Sequence, residues 1–144
     1  MNEEIRDNGQ LLALIISHRF AQFGVHFFTP SEFSQQLAYM RRPAGEIIPP
    51  HVHNPVTRTV QYTHEVLLIK KGRLRVDFYN TSHTYLESRI LEAGDVILLA
   101  GGGHGFEILE EVEMIEVKQG PYAGERDKTP FEGIKPGGRR PSHS

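Results

Sequence analysis

The sequence predicts an all-β domain, built as an antiparallel sandwich or barrel. From Val25 onward, short runs rich in Val, Ile, Leu, Phe, Tyr and Thr are broken by Pro30, Pro43-Ala-Gly45, Pro49-Pro50, Lys71-Gly72, Asn80-Thr-Ser82, Gly94-Asp95 and Gly101-Gly-Gly103. Many short strands punctuated at regular intervals are the signature of that architecture. Several runs alternate apolar and polar residues with period two, as a half-buried strand does. The chain has 144 residues, 38% of them hydrophobic, and no cysteine, which suits one domain with one core and no disulfide support.

Residues 1–24 form an N-terminal extension. Leu11, Leu12, Leu14, Ile15 and Phe20 follow Asp7-Asn8-Gly9, and their mixed spacing predicts a short helical or strand extension, as a helix alone or a helix followed by a strand. Residues 25–123 form the barrel. Its longest strand is expected over Arg58 to Lys70, with Thr57, Thr59, Gln61, Thr63, Glu65, Leu67 and Ile69 on one face and Val60, Tyr62, His64, Val66 and Leu68 on the other. Gly72 is expected to turn the chain. The next strand then sets apolar Leu74, Val76 and Phe78 against a polar face of Arg73, Arg75, Asp77 and Tyr79. Val96 to Leu99 and Met114 to Val117 read as further strands. Residues 124–144 are rich in Gly, Pro and Arg and are expected to form a poorly ordered tail.

A formal charge of -2 and a pI near 6.4 argue against a nucleic-acid or membrane-surface partner, which a strong basic excess would serve. No apolar run approaches the roughly 20 residues that span a bilayer, and Glu3 and Glu4 stand where an export signal carries basic residues. A cytoplasmic protein is expected. Antiparallel barrels expose sheet edges that self-association covers, so a homodimer is expected too.

The chemistry concentrates in histidines and one carboxylate. His51 and His53 stand at i and i+2 of an extended segment, which puts both imidazoles on one face, as a divalent metal site requires. Gly45 to Gly72 reads G-x5-H-x-H-x11-E-x6-G, with Glu65 as the carboxylate. Gly94 to His104 reads G-D-V-I-L-L-A-G-G-G-H and supplies a third histidine. The first segment resembles the first motif of the cupin superfamily, although its gap between the second histidine and the glutamate is longer than usual. That insertion leaves His64 as an alternative to Glu65 if the register shifts by one. The second segment resembles the second cupin motif, without its proline, with the histidine one residue early and with Ile108 in the asparagine place.

Near the end of the chain, Ile115-Glu-Val-Lys-Gln-Gly-Pro-Tyr-Ala-Gly-Glu-Arg-Asp-Lys128, followed by Phe131, is similar to the ending of WbuC-type cupins, barrels associated with bacterial surface-polysaccharide gene clusters. The resemblance covers residues 36–131, and its last fifteen or so are the specific part. It implies a cupin double-stranded β-helix, or jelly-roll barrel, with a divalent metal (Mn, Fe, Ni, Co or Zn) on His51, His53, Glu65 and His104. It does not imply an established reaction.

Around that centre Glu107 and Tyr62 are candidate proton-transfer groups, with Tyr79 as an alternative tyrosine. Arg73 and Arg75 could bind a phosphate or carboxylate, and Glu116, Lys118 and Tyr122 could close one side of a pocket; exposed ion pairing is the commoner role of such charges. Three functions follow for a small polar ligand. The first is a sugar isomerase or epimerase, the second an Fe-dependent dioxygenase in a narrow apolar pocket, and the third a non-catalytic binding barrel. No serine nucleophile elbow, phosphate loop or dinucleotide fingerprint is present.

Overall fold

A computed structural model describes residues 2–134. The strands are β1 (Asn2–Asp7), β2 (Gln10–Ile16), β3 (Gly24–Phe27), β4 (Ala38–Arg41), β5 (Glu65–Tyr79), β6 (Tyr85–Glu92), β7 (Val96–Leu99) and β8 (Gly103–Lys118). One turn of 3-10 helix, Gly124–Asp127, follows. The six-stranded sheet runs β1-β2-β7-β5-β6, with β8 added on β5, and every pairing is antiparallel. It curls into a half-barrel, and β3 and β4 make a small second sheet. The predicted all-β class holds at this level.

The N-terminal stretch is a β-hairpin, not a helix. Asn8 and Gly9 both take positive φ (49° and 79°), the conformation of a two-residue turn whose twist matches the strands it joins. Leu11 to Ile16 are all buried because β2 lies inside the sheet between β1 and β7 and is covered on both faces. On one face Leu12, Ala13 and Ile15 pack with Leu67, Ile69, Leu74, Val76, Phe78, Leu91, Ile97 and Leu99. On the other, Leu11, Leu14 and Leu98 are capped by Phe28, Phe33 and Leu37 beside the small sheet. A continuous apolar run fits a doubly covered strand as well as a helix, and here the Asn-Gly turn decides.

The long strand begins at Glu65 rather than Arg58, and residues 42–64 carry no regular structure. Gly72 does not end it. It sits at φ 91° within a run of register shifts between β5 and β8, where a Cβ would lie 2.0 Å from the Glu111 carbonyl oxygen. Only glycine fits so close an approach at that torsion. The shifts let one long strand serve two stretches of the sheet: Glu65–Leu68 pairs with β7, and Arg73–Tyr79 pairs with β6.

The polar face expected after Gly72 turns inward from Arg75 onward, while the Arg73 side chain stays partly exposed. Arg75 and Asp77 are 3% and 4% exposed, because the curl turns this face of β5 inward. Residues 124–134 of the expected tail pack onto the half-barrel: Phe131 meets the ring of Tyr79 at 5.1 Å, and the Ile134 amide donates to the Tyr79 hydroxyl at 3.1 Å. Residues 135–144 lie outside the described residues.

Candidate functional site

The sheet register brings Glu65 and His104 together although 39 positions separate them. Glu65 opposes Leu99 at the end of β7, and the short Ala100–Gly102 link then starts β8, whose His104 opposes Phe78 near the far end of β5. Gly102 (φ 64°) turns that link tightly enough for a Cβ to strike the Tyr79 carbonyl. His104 Nε2 lies 3.9 Å from Glu65 Oε1, with both side chains largely covered.

Burial, and after it a hydrogen bond and like charge from Glu116, push the Glu65 carboxyl up to about 7 from 4.5, against the opposing pull of Lys118 and Lys128. Burial also lowers the His104 pKa below its ordinary value, so its ring is mainly neutral at pH 7. The pair therefore offers a carboxyl group that changes charge near neutrality beside an uncharged imidazole.

Both residues line a cavity of about 880 Å³ on the inner face of the curl. Tyr79, Phe106 and Phe131 give it aromatic wall, while Asn80, Thr81, His83 and Asp127 give it polar groups. Phe131 stacks flat on the His83 ring, at 4.2 Å and 10°. Asp127 accepts from Thr63 Oγ1 and pairs with Lys118 at 3.3 Å, tying the C-terminal segment over the entrance to β5. Asn80 accepts from the backbone of Ser82 and Thr84 and so shapes the β5–β6 turn that presents His83.

The cavity's arginine is already committed. Arg75 donates to both oxygens of Asp77 (2.8 and 2.9 Å) and also pairs with Glu107, while Ser88 Oγ donates to Asp77 at 2.5 Å. Two carboxylates engage all three nitrogens of the guanidinium and offset its charge, so it does not stand as an open receptor for an anion. Glu107, expected as an acid or base, belongs to this network.

The other expected residues scatter. His51 and His53 approach each other, with ring centroids 5.2 Å apart, but both are exposed on the irregular 42–64 segment, and His51 Nδ1 contacts the Pro49 carbonyl at 3.0 Å. His64 is buried against Phe33 and 3.2 Å from Ser34 Oγ. Tyr62, 75% exposed, edges the cavity, whereas Tyr122, 93% exposed, lines a neighbouring one. Arg73 lies 3.9 Å from both Glu92 and Glu110 and does not line the cavity.

Donor type suits the divalent metal that the cupin resemblance implies, but the arrangement does not. Among the described residues no three His, Asp or Glu side chains converge as a metal site. The four expected ligands stand as two separate pairs, His51 with His53 and Glu65 with His104.

Tyr79, His83, Asp127 and Phe131 are pocket residues for which sequence reading assigned no firm role. Asn80-Thr-Ser82 and the Gly-Pro-Tyr ending mark their turns, but only the curl places them on one cavity. Comparison of the chain with protein-family models, curated proteins and solved structures found no match.

Proposed function

We propose that the half-barrel is a cupin-type barrel whose inner cavity binds a small uncharged polyhydroxylated molecule, a sugar or sugar derivative, and shifts a proton on it. The observation that carries this reading is the Glu65–His104 pair, 3.9 Å apart on the wall of the cavity. Aromatic faces beside amide, hydroxyl and carboxylate groups suit a ligand that is apolar on its ring faces and polar at its rim. With Arg75 held by Asp77 and Glu107, and Glu65 and Asp127 on the wall beside Lys128, the preferred ligand is neutral rather than phosphorylated. Arg73 and Arg75, which the sequence offered either for an anionic group or for ion pairing, both stand in ion pairs. The association of WbuC-like barrels with surface polysaccharide points the same way.

In an isomerase or epimerase reaction, Glu65 as carboxylate removes the proton from the carbon beside the substrate carbonyl. His104 hydrogen-bonds the carbonyl oxygen and passes the proton of the adjacent hydroxyl to it, while Glu65 returns its proton to the neighbouring carbon, so the carbonyl has moved by one position. A carboxyl near pKa 7 is matched to both halves of that exchange.

Incubation with a panel of neutral reducing sugars in D2O is the test. Solvent deuterium should enter a carbon-bound position, at a rate at least about 100-fold lower in Glu65→Gln. Binding without exchange would leave the non-catalytic barrel as the correct function, and neither binding nor exchange would overturn the reading. The Fe-dependent dioxygenase is less favoured, since this cavity is wide and carries carboxylate, amide and hydroxyl groups on its wall.

A second, metal-holding reading has one observation in its favour, the pairing of His51 with His53. It predicts that tag-free protein retains about one equivalent of Mn, Fe, Ni, Co or Zn and that a His51→Ala/His53→Ala double variant loses it. Equal emptiness of both proteins counts against the metal.

A further inference from the structure

We infer that residues 56–62 form an added β-strand along the free edge of β8 in a second copy of this chain, reciprocally, making a two-fold dimer. The first observation is a mismatch between sequence and conformation. Val56-Thr-Arg-Thr-Val-Gln-Tyr62 alternates, is rich in β-branched residues and contains neither proline nor glycine, yet it carries no strand, and Val56 and Tyr62 are 60% and 75% exposed. Pro55 bounds it on one side, so pairing can begin at Val56.

The second observation is the edge itself. β8 is sixteen residues long, and among the described residues it pairs with β5 alone, so its other side presents unpaired backbone groups. Its apolar side chains Ile108, Ile115 and Val117 are exposed. Seven added residues span roughly 23 Å and fit well within that length.

Charge selects the occupant. Of the glutamates on β8, Glu107, Glu110 and Glu111 pair with Arg75, Arg73 and Lys71 of β5, which leaves Glu113 and Glu116 against one lysine, Lys118, so two β8 edges set side by side would bring like charges together. Between Glu46 and Glu65 the chain has no acidic residue and carries Arg58, His51 and His53, which suits an acidic edge. Its own β8 edge is out of reach. Residues 56–62 lead directly into β5, which lies on the opposite side of β8, and only Thr63 and His64 intervene. Those two are tied down by Asp127 and by the Gln119 amide. A second copy is the partner that remains.

Analytical ultracentrifugation with hydrogen exchange is the test. The wild type should sediment as a dimer at micromolar concentration, with amides of both 56–62 and the β8 edge protected. Val60→Pro should weaken the dimer roughly a hundredfold and lose both protections, with an unchanged circular dichroism spectrum because residue 60 itself lies in no strand or helix. Should Val60→Pro not fold, Arg58→Glu must show the same joint loss. A wild-type monomer, a dimer without protection at 56–62, or a dimer indifferent to both variants overturns the inference.

Discussion

Replacing Arg75 with methionine should destabilise the protein by about 3–5 kcal/mol and lower its melting temperature by roughly 10 °C or more. The guanidinium is 3% exposed and is the cation shared by Asp77 and Glu107, so its removal leaves Asp77 buried without its counter-charge. Methionine fills much of the same space, which isolates the electrostatic part of the loss. Arg73→Met is the matched control. Arg73 is exposed and only 3.9 Å from each of its two partners, and its loss should cost under about 1 kcal/mol. Adding Asp77→Asn to Arg75→Met should recover part of the stability, because the stranded charge is then gone. Denaturant unfolding of the four proteins decides the matter, and an Arg75→Met variant as stable as Arg73→Met would show that the network is not what holds the inner face.

Glu65 should make stability fall between about pH 4.5 and pH 7. Its carboxyl titrates near 7 when folded and near 4.5 when free, so across that window the unfolded chain has released the proton while the folded chain still holds it. Releasing the proton favours unfolding as pH rises. The loss should approach its full size, on the order of 3 kcal/mol, at pH 7 and level off above it. Glu65→Gln cannot ionise and should lack this component, gaining on the wild type as pH rises from 5 to 8. Unfolding free energies of both proteins at those two values test it. Parallel curves would mean that the carboxyl is not held protonated by burial and by Glu116.

Much of the half-barrel is legible in the chain. Turn signals and period-two runs predict an all-β domain, and β7 appears where Val96 to Leu99 indicates. The two motif positions Glu65 and His104 also meet in space. What was not legible depends on curvature. The alternation of Leu74, Val76 and Phe78 with Arg75 and Asp77 is that of a sheet with one wet face, and only a sheet curled on itself buries both. Gly72 reads as a turn because glycine permits positive φ, yet the same freedom served a bulge inside one continuous strand. The His51/His53 spacing presumes an extended backbone held by a neighbouring strand, and among the described residues no strand pairs with the 42–64 segment. Phe131 and Asp127 sit in a glycine- and proline-rich ending whose composition gives no sign of the cavity it covers.

The most direct test of the central claim, a cavity at Glu65 and His104 that takes a neutral sugar, is to map ligand binding by amide chemical shifts. Neutral monosaccharides and their phosphate esters should be titrated in parallel into isotope-labelled protein. The neutral sugars should shift Glu65, Tyr79, His83, His104 and Phe131 together, and the phosphates should bind no more tightly. Shifts that avoid these residues, or clear preference for the phosphate esters with the changes centred on Arg75, would contradict it.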